Sequence, residues 1–84
     1  DIDIDDAFTT IATSCNNGAN RRAWVTDVAG PISTNLHTST GTMRTAKISG
    51  DGAYAAYSGD EKTLFIATNN AGTFSLDYRF PLSS

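Results

Sequence analysis

From residue 44 onward, apolar and polar positions alternate in short runs, and glycine, asparagine and aspartate cut the alternation at regular intervals. That pattern predicts a four-strand meander, because strands repeat every two residues and turn residues punctuate them. Its strands are residues 44–49, 53–57, 64–68 and 73–80, joined by Gly50-Asp51-Gly52, Ser58-Gly59-Asp60-Glu61 and Asn69-Asn70-Ala71-Gly72. Gly50 and Gly52 can take positive φ in the first of these turns. The first half echoes the second with strands at 9–14, 22–26 and 32–38, separated by polar turns at 16–20 and 27–31. A different period overlaps its start. Ile4, Phe8, Ile11 and Cys15 share one face at helical spacing, with Asp5 and Asp6 where a helix dipole favours acids. A short N-terminal helix is therefore the competing expectation, against which the β-branched Thr9, Thr10, Ile11 and Thr13 favour a strand.

The two halves also match in sequence. Residues 24–37 align without gaps with residues 66–79, 42 positions on, and share Thr26/Thr68, Ala29/Ala71, Gly30/Gly72 and Ser33/Ser75. Asp27/Asn69 are polar turn residues in both, Ile32/Phe74 and Leu36/Tyr78 are apolar, and His37/Arg79 carry basic groups. Upstream, Ile11-Ala12-Thr13-Ser14 matches Ala55-Ala56-Tyr57-Ser58 if the following turn is two residues longer in the first copy. The expected fold is all-β: two four-stranded antiparallel meander repeats of about 42 residues, near 1–42 and 43–84, within one domain spanning 1–84. Gly30 and Gly72 should then occupy equivalent turns, with Ile32 and Phe74 pointing into the same layer of core.

The run Ile48-Ser49-Gly50-Asp51-Gly52-Ala53-Tyr54-Ala55-Ala56-Tyr57-Ser58, followed by Leu64-Phe65-Ile66-Ala67-Thr68-Asn69-Asn70-Ala71-Gly72, resembles the blade pattern of TolB-type and related β-propellers. With the weaker first copy, the resemblance covers most of residues 9 to 80. It implies four-stranded blades. Two blades do not close a ring, so the ring would be completed by further blades in a longer chain or by identical chains, as in the small two-blade fucose-binding lectins of bacteria. Arg22 beside Trp24 resembles the arginine strand of those lectins. Thr34 and Leu76 stand where their acid would fall, the second copy has Phe65 and Ile66 without an arginine, and Trp24 is the only tryptophan. Architecture transfers on this resemblance; the sugar does not.

Length and charge narrow the alternatives. At 84 residues a lone core stabilises a fold only marginally. The single Cys15 permits no intrachain disulfide, and His37, the only histidine, completes no zinc-type cluster. Oligomerisation is the remaining support, and a homo-oligomer is expected, with a trimer closing six blades favoured over a tetramer closing eight. A net charge of −3 and a pI near 4.7 argue against nucleic acid, which is bound mainly through Lys and Arg on phosphates. No apolar run reaches the length of a membrane span, and no cofactor motif is present. A chain that begins at Asp1 and is rich in Thr, Ser and Asn fits a processed, secreted or extracellular protein.

Catalytic chemistry is not indicated. His37 has no nucleophile elbow near it, and Asp60 and Glu61 are adjacent, so they point apart on an extended strand instead of pairing as in a glycosidase. Asp1, Asp3 and Asp5 would share one face of a strand and could offer oxygen to Ca²⁺, but they lack the pattern of a calcium loop. A solvated, frayed terminus is the expected role of this segment. The residues suited to binding are flat aromatics and forked donors: Arg22, Trp24, Tyr57, Tyr78 and Arg79, with Tyr54 nearby in sequence. They point to a non-enzymatic carbohydrate-binding module, with a glycan or a protein as ligand. The alternative is a structural or interaction protein, such as an extracellular assembly subunit or a segment of a larger propeller.

Overall fold

The computed structural model describes residues 1–17, 20–30 and 32–82. Eight strands follow in order: β1 (Ile2–Ile4), β2 (Thr10–Asn17), β3 (Asn20–Asp27), β4 (Ile32–Thr38), β5 (Met43–Ile48), β6 (Tyr54–Gly59), β7 (Thr63–Asn70) and β8 (Thr73–Pro81). They form two four-stranded antiparallel meanders, β1-β2-β3-β4 and β5-β6-β7-β8. No helix occurs among the described residues: of the positions whose spacing suggested one, Ile4 lies in β1, Ile11 and Cys15 in β2, and Phe8 in the turn between them. Part of the turn expected at 16–20, and Pro31 of the turn at 27–31, lie outside the described residues.

The strand whose place the sequence reading left open is β1. Its signal is three residues long and its centre is aspartate, a residue depleted in strands. What holds it is the second sheet. Asp1 Oδ2 accepts the Ala46 amide at 3.2 Å and Asp3 Oδ2 accepts the Ile48 amide at 2.9 Å, while the Asp6 amide donates to Gly50 O at 2.9 Å. Alternate carboxylates of β1 thus cap alternate amides along the free edge of β5, and the two strands run side by side in the same direction. The expected frayed terminus is instead a seam between the sheets.

Each sheet buries one face against the other. Ala12, Ser14, Ala23 and Val25 of the first sheet meet Ala46, Ala55, Tyr57, Phe65 and Ala67 of the second, with Met43 at the start of β5. Small alanines on both sides let the sheets approach, and Tyr57 and Phe65 supply the bulk. Period-two alternation leaves the opposite faces outward. Ile2, Ile4, Ile11 and Trp24 lie on the outer face of the first sheet, and Tyr54, Ala56, Ile66, Tyr78 and Phe80 on that of the second.

Hydrogen bonds reveal how the copies correspond. The Asp5 amide donates to Thr10 O at 3.2 Å and the Ser49 amide to Tyr54 O at 2.8 Å, so the opening hairpins superimpose at a spacing of 44. This is the spacing of the upstream sequence match. The third and fourth strands keep the spacing of 42: Ala23↔His37 corresponds to Phe65↔Arg79 and Thr26↔Ser33 to Thr68↔Ser75, and a register shift interrupts both ladders nearby. Between the two halves the copies differ by one residue, since Ile11 faces Thr26 whereas its counterpart Ala55 faces Ala67. A one-residue slip exchanges faces. By backbone pattern Ala12 corresponds to Ala56, yet Ala12 is buried in the joint and Ala56 lies on the outer face. The first sheet therefore meets the second face to back.

Candidate functional site

The five residues suited to binding fall in three places. Arg22 and Trp24 stay together on the outer face of β3, the guanidinium 5.9 Å from the centre of the indole ring, beside a shallow hollow formed with Thr13, Cys15, Thr26 and Ser33. Arg22 Nε is buried and has no acceptor among the described residues. Tyr57 is wholly buried between the sheets, and its hydroxyl donates to Trp24 O at 2.7 Å. Arg79 shares the inner row with Tyr57 but sits over Phe65, 6.0 Å from its ring centre. Tyr78 stacks on Phe80 on the outer face of the second sheet, ring centres 6.1 Å apart. Tyr57 and Arg79 thus do not converge on an open site.

A cleft does open between the sheets, at the end where the β3–β4 and β7–β8 turns lie, with a volume of about 290 Å³. Its turns are built locally. Ala71 (φ 53°) and Gly72 (φ 91°) both take left-handed conformations, forming the tight two-residue hairpin whose twist matches its strands. Asn69 anchors it, accepting the Gly72 amide at 2.8 Å and donating to Gly52 O at 3.2 Å. Across the cleft, Asp27 Oδ1 accepts the Ala29 amide at 3.2 Å, and the Val28 amide donates to Thr9 O at 3.0 Å.

Val25, Ile32 and Phe74 give the cleft an apolar wall, and Asp27 with Thr10, Thr34 and Thr73 gives it a polar one. The three threonine hydroxyls make no hydrogen bond to another described residue. Gly30 and Gly72 lie in the corresponding turns, and Ile32 and Phe74 point into the same space. Phe74 packs against the core while Ile32 remains 65% exposed at the mouth. The signal for this site was present in the repeat match, which paired Asp27 with Asn69 and Ile32 with Phe74. What alignment cannot tell is that the paired positions face one another across a gap.

At the opposite end, Glu61 gathers four donors: Ser39 Oγ at 2.7 Å, the Thr40 amide at 2.6 Å, Thr40 Oγ1 at 3.3 Å and His37 Nε2 at 3.2 Å. Burial pushes its carboxyl up, and the bonds from Ser39, Thr40 and His37 outweigh burial and bring it down to about 2. This cluster fastens the connection between the sheets. His37 also lies 4.3 Å from the Phe65 ring, and no group of three metal-ligating side chains occurs among the described residues. No protein-family profile, curated protein or solved structure matches the chain.

Proposed function

We propose that this chain is a non-enzymatic, secreted binding module of lectin type that takes a carbohydrate in the cleft between its sheets and works as a homo-oligomer of propeller-like blades. The observation that carries the reading is the cleft itself, where an aromatic face and an aliphatic wall oppose a carboxylate and three hydroxyls. Saccharides present the matching chemistry, with a ring face of C–H groups for Phe74 and hydroxyls that donate to Asp27 and exchange hydrogen bonds with Thr10, Thr34 and Thr73. Its size lies at the lower limit of small-molecule sites, which suits one sugar residue.

Glycan-array screening followed by titration calorimetry tests this. Phe74→Ala should weaken the best glycan by about tenfold, since a stacked ring contributes roughly 0.5–1.5 kcal/mol beyond its buried area. Trp24→Ala should leave affinity within about twofold if the cleft is the site; a loss at Trp24 with none at Phe74 moves the site to the outer face. An array without hits favours the second reading, an assembly subunit, which the exposure of Tyr54, Tyr78 and Phe80 on one outer face supports.

A further inference from the structure

We propose that copies of this chain stack head to tail, the outer face of the second sheet of one copy covering the outer face of the first sheet of the next. The inference rests on the multi-copy part of the reading above and adds which surfaces meet and in what sense.

In an L-chain, strand direction and the edge to which a residue's amide points together determine the face its side chain occupies. The amino group of Asp1 and the amide of Asp3 turn toward β2, and their side chains lie on the inner face of the first sheet. In β5 the residues bonded toward β6 are Lys47 and Ser49, and Lys47 lies on the outer face of the second sheet. The outer face of the second sheet is thus the backbone counterpart of the inner face of the first. Ile2, Ile4 and Ile11 correspond in turn to Ala46, Ile48 and Ala55, which fill the joint. The two outer faces are the two unmatched halves of the joint that already exists inside the chain. One further copy, placed by the same rotation, brings them together.

Composition agrees with that geometry. Ile2 (66% exposed) and Ile4 (38%) stand on one outer face, and Tyr54 (56%), Tyr78 (51%) and Phe80 (49%) on the other. Arg22 Nε, buried on the first of these faces, has no acceptor among the described residues and adds a donor. One element of the internal joint is not repeated. Lys47 stands where Asp3 stands in the first copy and accepts no amide proton, so apolar contact holds the joint between copies without the carboxylate seam. Association should therefore be reversible and concentration-dependent while the internal joint stays closed.

A heterologous contact differs from a symmetric one in a measurable way. Ile4→Lys blocks the first outer face and Tyr78→Lys the second; both side chains are exposed, and circular dichroism checks that each variant folds. Sedimentation from micromolar to millimolar concentration, without glycan, should show the wild type as a closed ring or a growing stack and each variant as a monomer. An equimolar mixture of the two variants should give dimers and nothing larger, because each retains the face the other lacks. A wild-type monomer at millimolar concentration overturns the proposal. So does a variant that assembles like the wild type, or a mixture that stays monomeric. A wild type that assembles in this way yet binds no glycan on the array refutes the sugar reading alone.

Discussion

Tyr57 shows what a single residue type leaves open. An aromatic in a strand serves equally as core or as a stacking platform, and only the partner sheet decides. Here burial raises its phenol above the ordinary range and leaves Trp24 O as its outlet. Tyr57→Phe keeps the ring and removes one of the bonds to Trp24 O, which stays paired in the β2–β3 ladder, and should lower the unfolding free energy by about 0.5–1.5 kcal/mol in urea titrations. Glu61 makes the opposite point, since its charge looks like turn solvation in sequence and is a hub in space. Its folded pKa lies below its unfolded value, so its contribution is complete above about pH 4.5 and fades toward pH 2. Urea midpoints should fall through that interval, and Glu61→Gln should flatten the dependence; an unchanged slope would assign the acid sensitivity to other carboxylates.

Among the elements, seven of eight strands were legible, because alternation and turn residues are local properties. Gly52 and Gly72 take positive φ (73° and 91°), whereas Gly50, for which the sequence also allowed it, does not, and a Cβ there would meet only the exposed Asp6 carboxylate, which can rotate aside. Gly59 is needed at the β5–β6 pairing, where a side chain would strike Thr42 O and Met43. The eighth strand, β1, was illegible because its stabilisation is non-local. Its carboxylates match amides 45 residues away, and nothing in Asp-Ile-Asp-Ile specifies that distance. Asp3→Ala leaves the Ile48 amide without its acceptor and should cost about 1.5–3 kcal/mol, the range for bonds to charged groups. Hydrogen exchange should locate the loss, with Ile48 and the β1–β2 amides exchanging faster than those of β7 and β8. Uniform acceleration instead would make β1 part of a single cooperative unit.

For the whole molecule, the repeat was legible and its stacking was not. A match of 42 residues follows side chains by the face they need, while the backbone of the opening hairpins repeats at 44, and only the ladders show the slip between them. Eight chain-consecutive strands also say nothing of how two sheets meet, and the candidate site arises only at that meeting. This is why the residues flanking the two turns were paired in sequence but assigned no chemistry.

The connection between the sheets, residues 39–42, bears on how the molecule behaves when stressed. Every pairing within a sheet is between neighbouring strands, so either meander can persist while the joint opens, and the hinge between them is short and pinned by Glu61. Once the pin is released, nothing distinguishes the second sheet of the same chain from that of another. Protonating Glu61 at high protein concentration should accordingly yield domain-swapped dimers, intertwined through the carboxylate seam and trapped when the pH is restored. Size exclusion after such an acid pulse should reveal a dimer that survives dilution and that, unlike the head-to-tail stack, is indifferent to Tyr78→Lys.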